Sequence, residues 1–166
     1  MIRWMIRRDH DEVLEIERQS FENPWTEDDL LAFLLQRNSI GSVFEHDRQV
    51  VGYMLYELHR YRIRIVDFAV ATEFRRCGIG RHMVERLIDK LSQQKRNSIT
   101  LEVREKNLPA QLFFSAMGFR AVDVLRDYGN ADREDAYLMR LSIEDQPLGR
   151  VLSGELDSAE KVENGH

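Results

Sequence analysis

The chain has 166 residues, 43% hydrophobic and 32% charged, enough for one domain with a single sizeable core and hardly for two. No apolar run approaches the roughly 20 residues that span a bilayer. The start, Met1-Ile2-Arg3-Trp4-Met5, lacks the apolar stretch of a secretion signal, so a cytoplasmic location without a membrane partner is expected. One cysteine, Cys77, excludes an internal disulfide, and the five scattered histidines lack metal-ligand spacing, so no metal is expected. Of the formal net charge of -5, residues 144–166 hold six acids against two bases, which leaves the rest close to neutral. That balance argues against direct nucleic-acid binding. Residues 1–143 are read as one domain and 144–166 as an acidic tail, poor in aromatics and expected to be disordered.

In chain order, Trp4–Arg7 reads as a short first strand. Asp9 with Glu12 has capping-box spacing, and Val13, Leu14 and Ile16 give the apolar part of a first helix. Thr26 with Asp29 resembles a second box, with Trp25 and Leu30 at staple positions, and Phe21–Trp25 is the loop between the helices. Three strands follow over Ile40–Glu45, Val50–Leu58 and Ile63–Val70, the first two joined by a hairpin turn at His46–Gln49. Met83, Val84, Leu87, Ile88 and Leu91 recur at helical spacing. Ile99, Leu101 and Val103 alternate with polar residues as in a strand, and Pro109 opens a helix that stops at Gly118. Val122–Leu125 and Ala136–Leu141 close the pattern, a mixed α/β order βααβββαβαββ.

The strongest local signal is Arg75-Arg76-Cys77-Gly78-Ile79-Gly80, between a strand and a helix. The first amides of a helix have no internal partner, and the helix dipole makes that end positive. Glycines let a phosphate approach the backbone, and Arg75, Arg76 and Arg81 add charge, so a pyrophosphate is the natural guest. Taken alone, the hexapeptide is equally compatible with a tight turn and solvated arginines. No G-K-[ST] follows, which excludes a Walker loop, and the third glycine of a dinucleotide fingerprint is missing.

The R-x-x-G-x-G pattern resembles the acyl-CoA pyrophosphate loop of the GNAT superfamily of N-acetyltransferases. Leu101-Glu102-Val103-Arg104-Glu105-Lys106-Asn107 resembles the L-E-V-R-x-x-N segment of its RimI type, the ribosomal-protein-alanine N-acetyltransferases. Phe21-Glu22-Asn23-Pro24-Trp25-Thr26 is similar to the substrate loop of that type, and Glu134–Met139 to the E-D-A-x-x-M strand of N-terminal acetyltransferases. The resemblance covers about residues 5 to 141. It implies a single-domain GNAT fold with a mixed central sheet of about seven strands flanked by about four helices. It also implies acetyl-CoA as co-substrate and a protein N-terminus, on a ribosomal protein, as acceptor partner.

The resemblance assigns roles by position. Phe68 and Val70 would lie on the splayed strand that pairs with the pantetheine arm, with the thioester carbonyl near Val70. Arg75, Arg76, Cys77, Gly78, Ile79, Gly80 and Arg81 would hold the pyrophosphate, and Asn107 the pantetheine region. Glu102 would be the general base, and Phe21, Pro24, Trp25 and Tyr128 would contact the peptide. Read by itself, Glu102 is a solvent-facing strand carboxylate paired with an arginine, Asn107 a helix cap, and Trp25 a helix staple. Two departures stand out. The tyrosine that protonates the leaving thiolate in the family is Phe114 here, and Gly129 replaces a second tyrosine beside Tyr128. Three readings result: an α-amine acetyltransferase, one for a lysine or small amine, and an acetyl-CoA-binding module that transfers nothing.

Overall fold

The computed structural model describes residues 1–128 and 134–143; the tail expected over 144–166 and the departure at Gly129 lie outside them. The elements are β1 (Ile2–Trp4), α1 (His10–Ser20), α2 (Glu27–Leu34), β2 (Ser39–His46), β3 (Gln49–Leu58), β4 (Arg62–Val70), α3 (Ile79–Gln93), β5 (Ser98–Arg104), α4 (Leu108–Ala116), β6 (Arg120–Leu125) and β7 (Ala136–Ser142). Their order is the one expected. The strands form one sheet, β1-β2-β3-β4-β5-β7-β6, antiparallel except where β4 meets β5. No helix among the described residues is long and apolar enough to cross a membrane.

Alternating side chains along the strands build a core on each face. On one face, Met83, Val84 and Leu87 of α3 and Phe114 of α4 pack with Ile63, Ile65, Ile99 and Leu101. On the other, Val13 and Ile16 of α1 and Leu30 and Phe33 of α2 pack with Val43, Tyr53, Leu55 and Ala69. Each such side chain contributes about 1.5–3 kcal/mol of burial, so the two layers fix both helix pairs against the sheet.

Local signals set several boundaries. Asp47 and Arg48, with φ of 49° and 64°, make the two-residue turn between β2 and β3, and positive φ at both centres suits the twist of a hairpin. Thr26 and Asp29 close their box in both directions, at 3.2 and 2.9 Å. The expected Asp9–Glu12 box does not form. Asp9 is buried against the Arg3 guanidinium at 2.7 and 2.9 Å and accepts the Ile6 amide at 2.8 Å. Glu12 instead accepts the Val50 amide at 2.9 Å. Those tertiary partners also shift the first strand: it spans Ile2–Trp4, and Arg7–Asp9 turn into a single 3-10 turn before α1.

Candidate active site

Strand β4 pairs with β5 only through Arg62–Arg64 and Ser98–Thr100. Beyond that, β5 continues to Arg104 bonded to β7, while β4 continues to Val70 bonded to β3. A cleft opens between them from Ile65 and Leu101 onward. The Ala71 amide donates to the Val51 carbonyl on the β3 side. Backbone groups alternate in direction along a strand, so the amides of Phe68 and Val70 turn toward the cleft.

One side of the cleft is apolar and ends at α3. Phe68, Phe113, Phe114 and Phe119 form a ring cluster with centroid separations of 5.0 to 6.1 Å. Gly80 is locked against it: a Cβ there would lie 3.3 Å from Phe68 Cζ and 3.5 Å from Phe113 Cζ. Gly78 takes φ +80° as the residue preceding α3, and a Cβ there would meet nothing within 4 Å. The first intrahelical bond runs from His82 to the Gly78 carbonyl, so the amides of Ile79, Gly80 and Arg81 have no partner inside the helix. Open space in front of such amides fits a diphosphate.

The loop arginines divide. Arg75 folds back, its Nε on the Val70 carbonyl and its Nη2 on Ser20 Oγ, both at 3.0 Å, tying the end of β4 to α1. Arg76, with φ 62°, is exposed, and Arg81 pairs with Glu85 at 3.0 Å. Cys77 is exposed, with Sγ 3.6 Å from the Arg75 carbonyl, and the Ile79 side chain is buried in the core, leaving its amide to face outward. Asn107 caps α4, its Oδ1 accepting the Ala110 amide at 3.3 Å. The helix-cap reading of Asn107 therefore holds, and its amide nitrogen remains for a ligand.

The other side of the cleft, facing α1 and α2, is polar. Glu102 lies 3.4 Å from Arg64 Nη2, and Arg64 Nη1 bonds Glu57 at 3.1 Å. Burial opposes the charge on Arg64, but Glu57 and Glu102 outweigh it and raise its pKa. Tyr128 meets Glu102 as well: burial first, then hydrogen bonding to Glu102, raises its phenol above the ordinary value. The Arg104 guanidinium lies 5.7 Å from the Tyr128 ring centre. The loop residues Phe21 and Trp25 pack on the α1–α2 core, Trp25 edge-on to Phe33 at 5.7 Å, and Pro24 is half-buried between them in sequence. Trp25 thus packs on the α1–α2 core, as the staple spacing suggested.

Sequence reasoning did not find Arg64, Glu17, Tyr53 or Asp67. Glu17 is buried in α1, and its Oε1 accepts the Trp25 amide at 3.0 Å. The Tyr53 hydroxyl donates to Glu17 and lies 3.2 Å from Asp67 Oδ2. No local pattern links positions 17, 53 and 67; a carboxylate on the buried face of an amphipathic helix was the one available signal.

Residues 10–119 match the profile of the acetyltransferase (GNAT) family. An uncharacterized N-acetyltransferase of Methanocaldococcus jannaschii is 36% identical over 140 residues, covering 84% of this chain and 89% of that one. An N-alpha-acetyltransferase of Sulfurisphaera tokodaii is 29% identical, with 79% and 86% covered. The ribosomal protein bS18-alanine N-acetyltransferase of Escherichia coli is 26% identical, with 77% and 87% covered. The crystal structure of the Escherichia coli ribosomal-protein-S18-alanine N-acetyltransferase superposes with a TM-score of 0.78 at 23% identity, over 89% of this chain and 96% of that one. The same fold holds acetyl-CoA in Arabidopsis thaliana NAA60, with a TM-score of 0.74 at 18% identity over 87% and 98% of the chains.

Proposed function

Since the chain belongs to the acetyltransferase (GNAT) family, we propose that it transfers the acetyl group of acetyl-CoA to the N-terminal α-amine of a protein, with a ribosomal protein as the acceptor. The observation that carries this reading is the cleft between β4 and β5, with unpartnered helix amides at one end and a carboxylate across from the splayed strand. The pyrophosphate would lie on the amides of Ile79, Gly80 and Arg81, in the open space at Gly78, with Arg76 and Cys77 at the rim. Phe68 and Phe113 wall the pantetheine arm, and Asn107 reaches it from the start of α4. The Phe68 amide donates to Asp67 Oδ1 at 2.9 Å, which leaves the Val70 amide to the thioester carbonyl. A preplaced donor there stabilises the negative charge that develops on the oxygen during attack.

An ammonium has no lone pair for attack, so a proton must leave first, and Glu102 is the group that takes it. An α-amine has a pKa of about 8 and a lysine amine about 10.4, so deprotonating the N-terminus costs about 3 kcal/mol less at neutral pH. Phe21, Pro24, Trp25 and Tyr128 border the peptide's path to that base. The test is mass spectrometry of native ribosomal proteins after treatment with the enzyme and labelled acetyl-CoA. Label on an N-terminal residue supports the reading. Label confined to lysines, also in a peptide whose N-terminus is blocked, overturns it.

A second reading, coenzyme binding without transfer, draws on Phe114. It is 5% exposed and has no proton to give to a departing thiolate. A thiol pKa of about 8.5 makes the thiolate a tolerable leaving group, so the substitution slows turnover without abolishing it. Binding of acetyl-CoA with no acetylation across a broad amine panel would favour the second reading.

A further inference from the structure

The buried Glu17–Tyr53–Asp67 cluster is left unused by the chemistry above, yet it reaches the cleft. Register explains how. In the parallel ladder Arg64 stands opposite Thr100, which sets Glu102 level with Val66 two residues on. Opposite β3, Val66 is an extra residue: Ile65 pairs with Tyr56 and Asp67 with Leu55. Such a bulge re-aims the side chains beside it, and Asp67 directly follows it, one residue beyond the position level with Glu102. Asp67 Oδ1 accepts the cleft-facing Phe68 amide, so its carboxyl sits at the cleft edge, while Oδ2 turns inward to Tyr53 and Glu17.

Two carboxyls this close in a buried setting cannot both ionise. Burial first, and Glu17 second, push Asp67 up to about 9, so the pair retains one proton and one negative charge at neutral pH. The Trp25 amide and Tyr53 hydroxyl fix it from α1, the substrate loop and β3. Arg75 is the cation on the α1 side, already bound to Val70 and Ser20, and Arg64 is bound to Glu57 and Glu102. A negative pair that has no guanidinium partner among the described residues, at the edge of a cleft that on the proposed reading admits an ammonium, has a chemical purpose.

We infer that the Asp67–Glu17 pair is the docking point for the acceptor's charged amine, holding it opposite Glu102 until the proton is removed. The inference rests on the α-amine reading above and makes Asp67 a specificity-determining residue of that site. Asp67→Asn removes the carboxyl that shares its proton at the cleft edge; Glu17→Gln leaves Asp67 as the cluster's one carboxyl and abolishes the sharing. With an Ala-starting peptide as acceptor, Asp67→Asn raises its KM about tenfold, about 1.4 kcal/mol of docking energy. Its kcat and the affinity for acetyl-CoA stay near the parent's. Carboxyl-carbon NMR titration of the labelled parent protein shows an aspartate titrating near 9, a signal that Glu17→Gln shifts down. Unchanged acceptor KM in Asp67→Asn overturns the inference. Should that variant also lose coenzyme affinity, Glu17→Gln decides, and an unmoved aspartate signal there overturns it. If the parent acetylates no N-terminus at all, the α-amine reading fails first, and the titration still reports on the pair.

Discussion

The two sides of the cleft are built by opposite rules. The side proposed for the coenzyme is local: six consecutive residues make the turn, and four aromatic rings and Gly80 close an apolar wall. The side proposed for the acceptor is assembled from α1, β3, β4, β5 and the segment after β6, and most of the groups placed on it are polar or charged. A diphosphate needs little more than free amides and space, so one turn suffices. An ammonium that must be bound, deprotonated and aligned needs several polar groups held at fixed positions, which only tertiary structure supplies. Perturbations should therefore separate into coenzyme defects and acceptor defects, and each experiment below tests that separation.

The largest effect is expected from Glu102→Gln. Loss of a general base typically costs about 10²–10⁴-fold, so kcat should fall by that order at pH 7 with coenzyme affinity intact. The deficit should shrink as the pH passes about 8, where the α-amine loses its proton unaided. A deficit that is the same at every pH would assign Glu102 to holding Arg64 and Tyr128 and remove it from the chemistry.

Gly78→Asp should do the reverse. It sets a carboxylate where a Cβ now meets nothing, at a residue with φ +80°, directly before the amides of α3. Repulsion and one lost charge-assisted hydrogen bond, together about 3 kcal/mol, weaken coenzyme binding about 100-fold. Calorimetry with coenzyme A measures this. Acceptor KM at saturating acetyl-CoA should not move, and a matching rise there would mean that the two sides are not separable.

Phe114→Tyr crosses from one side toward the other. A hydroxyl on this ring supplies the proton donor that the aromatic cluster lacks, and the chemical step should accelerate by up to about tenfold, a modest share of what acid catalysis delivers. Coenzyme affinity should hardly change. Phe114 is 5% exposed, so the hydroxyl also costs about 1 kcal/mol of stability unless it reaches the cleft. Single-turnover rates and melting curves, read together, show which term dominates; a slower variant would place the ring away from the leaving sulfur.

The same contrast explains what could be read before the structure. Element order, the turn at Asp47–Arg48 and the Thr26–Asp29 cap were legible because each depends on residues within a few positions. The glycine loop was legible for the same reason. The pairing of Glu102 with an arginine was anticipated, but not that Arg64 would provide it from the neighbouring strand. The Asp9–Glu12 box was misread since Arg3 and the Val50 amide, both remote, bind those carboxylates more favourably than the helix end does. The Glu17–Tyr53–Asp67 cluster was illegible altogether, since its members lie 14 to 50 positions apart and a bulge at Val66 decides which way Asp67 faces.

The smallest effect on turnover comes from an experiment that tests the proposed acceptor side without any substrate. Asp67 has an ordinary pKa of 3.8 in the unfolded chain and is pushed up to about 9 when folded, mainly by burial and then by Glu17. The folded state thus binds this proton more tightly, and the stabilisation it brings is complete below about pH 4 and is lost as the pH rises toward 9. Asp9 and Glu57 act in the opposite sense. Despite burial, Arg3 holds Asp9 below its usual range, and His59 and Arg64 hold Glu57 below its own, so their contributions vanish only at the acid end. Between about pH 5 and 9 Asp67 is, among the described residues, the carboxyl whose raised pKa makes its protonation differ between the two states, and the melting temperature should fall throughout that window, since a one-proton difference costs about 1.4 kcal/mol of stability per pH unit. Asparagine at position 67 cannot release a proton, so Asp67→Asn should flatten the slope while leaving the acid limb of Asp9 and Glu57 unchanged. Parallel slopes in parent and variant would show that Asp67 is ionised in the folded protein, and the acceptor side would then carry two separate carboxylates in place of a proton-sharing pair.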